Sequence, residues 1–169
     1  MTCDNNAGRP IWAPWRIDYI RSPKTGECFI CAASESEGST DGDFLLVAQS
    51  RESLVMLNRF PYTPGHLLVS PKRHVGDISD LTLEERADLM DMIVKAKDVL
   101  TRSLSPDGFN IGFNLGAVAG AGLAEHIHAH IVPRWSGDTN FMPVLGDVRV
   151  VPEALDATWE LLRGAWEES

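Results

Sequence analysis

Alternation and one-sided apolar rows divide much of the chain into short elements. Residues 44–49 (Phe-Leu-Leu-Val-Ala-Gln) and 53–58 (Ser-Leu-Val-Met-Leu-Asn) read as strands, and the Ser50-Arg51-Glu52 break between them predicts an antiparallel hairpin. Turn residues follow, with Pro61, Pro64 and Gly65, and then 66–70 (His-Leu-Leu-Val-Ser) as a third strand. Thr82 and Glu85 have the spacing of a capping box. They open a helix whose apolar stripe we read as Leu83, Ala87, Met90, Ile93, Val94, Leu100 and Leu104, stopped by Ser105-Pro106-Asp107-Gly108. Residues 109–114 alternate as a fourth strand. In 125–134 three histidines, His126, His128 and His130, alternate with Ile127, Ala129 and Ile131. A period of two puts the histidines on one strand face and the apolar residues on the other, toward a core. Residues 148–151 read as a strand fragment. A last helix after Pro152 carries Leu155, Trp159, Leu162 and Trp166 on one face. The order β-β-β-α-β-β-α predicts an α+β fold, an antiparallel sheet with one long helix packed on it and a C-terminal helix.

Composition narrows the partners. The 169 residues suit one domain with a sizeable core. A net charge of −9 argues against gripping a nucleic-acid backbone but leaves room for a small anionic substrate held by local groups. No apolar run reaches the roughly 20 residues of a membrane helix, and residues 1–10 are polar, so we expect a cytoplasmic protein with no membrane partner. The cysteines are Cys3, Cys28 and Cys31, an odd count that argues against a disulfide framework. Cys28-Phe29-Ile30-Cys31 is a C-x-x-C pair, suited to half a zinc site or to a redox dithiol, though no βαβ pattern surrounds it. Residues 1–43 otherwise show little periodicity. Trp12, Trp15 and Tyr19 read as an arm that covers the body of the domain or clamps another subunit.

The five histidines, His66, His74, His126, His128 and His130, all lie at ends of expected strands or in the alternating stretch. Histidine attacks, donates and accepts protons, or binds metal near neutral pH, so their concentration marks a functional site. Before His126 runs 116–123 (Gly-Ala-Val-Ala-Gly-Ala-Gly-Leu), whose small residues let backbone N–H groups approach an anion. From the residues alone two chemistries stay open: histidines binding a catalytic metal, or one histidine acting as nucleophile.

The stretch His126-Ile-His128-Ala-His130-Ile-Val132 resembles the signature of the histidine triad (HIT) family of nucleotidyl hydrolases and transferases. Asn58, Pro64-Gly65-His66-Leu-Leu-Val69, Asn114, the glycine-rich loop and Pro133-Arg134 extend the likeness. The flanks Trp12-Ala-Pro-Trp-Arg16, Pro106 to Gly112, Ala124-Glu125 and Trp135 to Phe141 are similar to a bacterial, diadenosine tetraphosphate phosphorylase-like branch. The resemblance implies a HIT-like fold, with an N-terminal arm carrying the C-x-x-C pair (1–43), a catalytic domain (44–145) and a helical extension (146–169) in one structural domain.

It also implies roles. His128 would attack the α-phosphorus of a nucleotide and carry it as a nucleotidyl-histidine. His130 would contact the phosphate and assist the leaving group, with His66 beside it. Asn58 would bind ribose, Asn114 phosphate, and the backbone N–H groups of Gly120, Ala121, Gly122 and Leu123 the transferring group, with Glu125 as a further polar contact. Cys28, Cys31, His74 and His126 would hold a structural zinc, and magnesium would accompany the nucleotide. Hydrolase branches usually place Gln and then Ser or Thr after the loop glycine; here Ala121 and Gly122 stand there, which favours inorganic phosphate over water as acceptor. The implied reaction is phosphorolysis of diadenosine tetraphosphate to ADP and ATP by a homodimer, with Trp159 and Trp166 as interface material. Alternatives are a dinucleoside polyphosphate hydrolase or nucleoside phosphoramidase, a catalytic zinc at the triad, and a zinc-stabilised nucleotide sensor with little turnover.

Overall fold

The computed structural model describes residues 28–36, 44–138 and 154–169. The tryptophan-containing arm, most of the polar 34–42 loop and the 148–151 strand expectation fall outside the described residues. In chain order the elements are α1 (Phe29–Glu35), β1 (Leu46–Gln49), β2 (Ser53–Leu57), β3 (Leu67–Pro71), α2 (Leu83–Leu104), β4 (Gly108–Phe113), β5 (Ala129–Arg134) and α3 (Leu155–Glu167). The five strands form one antiparallel sheet in the order β1-β2-β3-β5-β4. The α+β expectation holds. Helix α1 is an addition, because seven residues within an aperiodic arm give no pattern to read.

Strands β2 and β3 are buried along their whole length, which happens only when both sheet faces are covered. Their side chains divide by the period of two. Val55, Leu57, Leu67, Val69, Ala129 and Ile131 join α2 and α3 in the main core, whereas Leu54, Met56 and Leu68 pack with Ile30 and Ala33 of α1 in a second, smaller cluster on the other face.

Helix α2 starts at the expected capping box: Thr82 Oγ1 accepts from the Glu85 N–H at 3.1 Å, and Glu85 Oε2 accepts from the Thr82 N–H at 2.8 Å. Arg73 closes on the same carboxylate, its Nε donating at 2.6 Å. Part of the expected stripe is corrected. Ile93 and Leu100 are buried and Leu104 packs on the core, but Leu83, Ala87, Met90 and Val94 are exposed, and Leu89, Met92, Ala96 and Val99 take their place. At 100° per residue the two rows lie roughly 170° apart, on nearly opposite sides of the helix. Both read as apolar stripes, and only the sheet selects between them.

Helix α3 presents the expected face. Trp159 is buried and its Nε1–H donates to Leu46 O at 2.8 Å, Leu162 is fully buried, and Trp166 packs against the same core. Trp159 is thus taken up within the chain, while Trp166 stays half-buried.

One glycine is fixed by space as well as conformation. Gly65, just before His66, has φ +73°, and a Cβ there would lie 2.5 Å from Leu104 Cδ1.

Candidate functional site

The histidine stretch runs out of the sheet ladder. β5 begins at Ala129, so His126 and His128 sit on its extended lead-in. That lead-in is pinned from β3 and the turn after it: the Ile127 N–H donates to Val75 O at 2.7 Å, and Ser70 Oγ donates to Ile127 O at 2.7 Å. The alternation survives. Ile127, Ala129 and Ile131 enter the main core, while the three histidines face the other side of the sheet.

Each histidine has a different environment. His126 is fully buried; its Nε2–H donates to Pro71 O at 2.8 Å, which leaves Nδ1 facing Cys28 Sγ at 3.2 Å and Cys31 Sγ at 3.5 Å. His128 is nearly as buried. Its Nδ1–H donates to His126 O at 2.9 Å, so the Nε2 lone pair remains for chemistry on the cavity side. Burial lowers the pKa of His128, keeping the ring neutral and the lone pair available.

His130 belongs to a relay. The Tyr62 N–H donates to His66 Nδ1 at 3.1 Å, which puts the His66 proton on Nε2, 3.0 Å from His130 Nδ1. His130 then carries its own proton on Nε2, 3.5 Å from the side-chain amide of Asn114. With Oδ1 of that amide turned to the ring, the chain of donors is consistent from end to end. Asn58 Nδ2 lies 3.3 Å from His66 Nδ1, and its Oδ1 accepts from the Phe60 N–H. Burial, and secondarily His128, push His130 down to about 4.

The cavity beside these rings has a volume of about 370 Å³ and is lined by Asn58, His128, His130, Gly120, Gly122 and Leu123 among the expected residues. Ala121 and Glu125 are not among its lining residues, and Glu125 is exposed. In the loop, the Gly120 N–H donates to Ala117 O at 3.0 Å and the Ala121 N–H to Gly116 O at 3.4 Å. Those two amides are committed internally, which moves the anion-binding expectation to the Gly122 and Leu123 amides. Sequence reasoning missed the aromatic walls: Phe29, Phe44, Phe60 and Tyr62 also line the cavity. Their signal was slight, because they come from three separate segments and share no period.

A second cluster adjoins the first. The donor atoms of Cys28, Cys31, His74 and His126 lie within 4.8 Å of one another, and Cys31 Sγ is 3.2 Å from His74 Nδ1. Tetrahedral zinc with bonds of about 2.3 Å to sulfur and 2.0–2.1 Å to nitrogen requires ligand atoms roughly 3.3–3.8 Å apart. The sulfur–nitrogen contacts of 3.2–3.5 Å are close to that range. Burial, and then the neighbouring Cys28, push the Cys31 thiol up to about 11. A divalent cation would reverse this by holding both sulfurs as thiolates. Two sulfurs and two imidazole nitrogens, with no fifth donor grouped with them among the described residues, suit a closed structural ion.

Comparison with known proteins agrees with this geometry. Residues 41–137 match the model of the HIT domain. The chain belongs to the HIT domain family. It is 40% identical over 162 residues to a Mycobacterium tuberculosis protein named AP-4-A phosphorylase, covering 92% of this chain and 83% of that one. A Schizosaccharomyces pombe protein named asymmetrical bis(5'-nucleosyl)-tetraphosphatase is 37% identical over 90 residues, covering 53% of this chain and 49% of that one. Among solved structures, a Zn-bound histidine triad family protein from Mycobacterium smegmatis superposes with a TM-score of 0.67 at 31% identity, covering 85% of this chain and 95% of that one. In this HIT protein, then, the cluster at Cys28, Cys31, His74 and His126 can bind a metal, and a family relative contains zinc. No described helix is long and apolar enough to cross a membrane.

Proposed function

We propose that this HIT protein cleaves dinucleoside polyphosphates, diadenosine tetraphosphate first among them, by nucleotidyl transfer through His128 to inorganic phosphate. The observation that carries the reading is the His128 ring, with its Nδ1–H held by His126 O and its Nε2 left for a phosphorus atom in the cavity. His128 Nε2 attacks the α-phosphorus, the bond to the polyphosphate oxygen breaks, and ATP departs. Phosphate oxygen then attacks the same phosphorus, releasing ADP and restoring His128. His130 donates from Nε2 as a neutral imidazole, with His66 setting its tautomer. Asn58 takes ribose and Asn114 a phosphate oxygen. The amides of Gly122 and Leu123 take charge on the transferring group. Magnesium would travel with the polyphosphate as part of the substrate.

The 40% identity to the M. tuberculosis protein supports the phosphorylase assignment over most of the chain. Neither Ala121 nor Gly122, the second of which lines the cavity, carries a polar side chain to orient water, which favours phosphate as the acceptor. Hydrolysis is the second reading, favoured by the S. pombe relative. Cys28, Cys31, His74 and His126 would hold zinc, which supplies a rigid tie between α1 and the histidine strand and no reacting atom. We place the protein in the cytoplasm and read it as a homodimer, joined through the outward row Leu83, Ala87, Met90 and Val94 of α2.

The test is diadenosine tetraphosphate with and without phosphate. ADP and ATP formed only with phosphate are expected. AMP and ATP appearing at an equal rate in its absence would sink the phosphorylase reading.

A further inference from the structure

Helix α1 faces three ways at once. Cys28 and Cys31, three residues apart, point to His126 and His74. Ile30 and Ala33 are fully buried in the second cluster against Leu54, Met56 and Leu68. Phe29, between the two cysteines, lines the cavity that also holds His128 and His130. Residues of this cluster, Met56, Leu68 and Leu123, form wall and core together.

Among the described residues little else holds the helix. Seven residues are too few to be stable alone. Cys28 makes no side-chain capping bond, and no acidic residue stands in the first turn. Gln49 Nε2 reaches Ala33 O and Ser36 O only at 3.4 Å. The position of Phe29 therefore depends both on the seat of Ile30 and Ala33 and on the contacts that Cys28 and Cys31 make on either side of it. Phe29 is also 40% exposed and lines the cavity, so part of its surface is available for a flat ligand ring to cover.

We infer that Phe29 is a nucleobase-stacking residue positioned by the Cys28/Cys31/His74/His126 cluster, so that metal binding and nucleotide binding strengthen each other. The inference rests on the reading of the cavity as a nucleotide site. Metal on the two cysteines fixes α1, and fixed α1 presents the Phe29 ring to the base. A base stacked on Phe29 in turn resists the movement of α1 that metal release requires. Coupling of this kind is reciprocal: whatever factor metal adds to nucleotide affinity, nucleotide adds to metal affinity.

The experiment uses the zinc-loaded full chain and AMP, which occupies the base and α-phosphate sites without turnover. A chromophoric chelator is titrated against the protein with and without saturating AMP, and the apparent zinc dissociation constant is read. Wild-type protein is expected to hold zinc about tenfold more tightly with AMP. Phe29→Ala is expected to load one zinc and show a shift below about twofold, with AMP bound at least fivefold more weakly. Phe29→Leu keeps apolar bulk at the position and guards against misfolding of the alanine variant. Its expected shift is below about threefold. Unchanged zinc affinity in wild-type protein that does bind AMP overturns the coupling. A full shift in Phe29→Ala, or in Phe29→Leu where the alanine variant does not fold, overturns the role of the ring. Failure of loaded wild-type protein to bind AMP at all removes the nucleotide reading itself, a separate result.

Discussion

The two faces of the sheet are built on different principles. The α2–α3 face is thick: nineteen buried apolar residues form one cluster, and its helices carry a capping box and a tryptophan hydrogen-bonded to β1. Among the described residues, the α1 face has five buried residues in its cluster, a short helix with no side-chain cap, and beside them a cavity and a set of metal-competent donors. Burial of apolar area organises the first face, and directed contacts organise the second. A reactive site needs space and available polar atoms, and a close-packed core provides neither. The thick face fixes β5, and β5 with its lead-in carries His130 and His128 to the thin one.

The sharpest division between the faces is expected at His128. His128→Ala should lower turnover of diadenosine tetraphosphate by about a thousandfold or more, with little change in melting temperature; retained activity would remove the nucleophile assignment.

Core truncations come next. Leu100→Ala, on the thick face, should cost about 2–5 kcal/mol of stability in chemical denaturation. Its KM, measured well below the melting transition, should stay unchanged. Ile30→Ala, on the thin face, should raise KM as well, because Ile30 seats the helix that forms the cavity wall. Equal effects of the two on KM would erase the comparison.

A smaller effect concerns pH. Arg73, chiefly by hydrogen bonding, holds Glu85 down to about 2. A carboxyl lowered in the folded state stabilises it above the unfolded value of roughly 4.3, and that contribution is lost as pH falls toward 2. Glu85→Gln should therefore be less stable than wild type at pH 7 and approach it near pH 2, by thermal melts across the range. A constant difference would mean that charge plays no part in this cap.

The smallest effect on the folded chain belongs to the outward row of α2. Met90→Glu should leave denaturant stability within about 0.5 kcal/mol when compared as monomers. It should shift the sedimentation of a dimer toward monomer; an unaltered association state would place the interface elsewhere.

How much was legible follows the same line. Strands β2 and β3, the capping box at Thr82 and Glu85, and the face of α3 were readable because each depends on neighbours in sequence. The alternation from His126 to Ile131 likewise showed which residues share a side. The choice between two apolar rows on α2 was not readable, since both Met90 and Met92 satisfy a helical period and only packing on β2, β3 and β5 buries one of them. Helix α1 was not readable either. Its buried residues, Ile30 and Ala33, pack on Leu54, Met56 and Leu68, more than twenty positions away in sequence.

By itself the sequence determined which atoms are available: five histidines, a C-x-x-C pair and a loop of small residues in strand-forming surroundings. Tertiary structure decided what each of them faces. His126 and His128 are two residues apart and chemically alike, yet one turns Nδ1 to two sulfurs while the other donates from Nδ1 to its neighbour's carbonyl and keeps Nε2 for the cavity. The physical reason is that an imidazole's role is set by which nitrogen finds a partner. Those partners, Pro71 O, Cys28 Sγ and His126 O, are brought together only by the folded sheet.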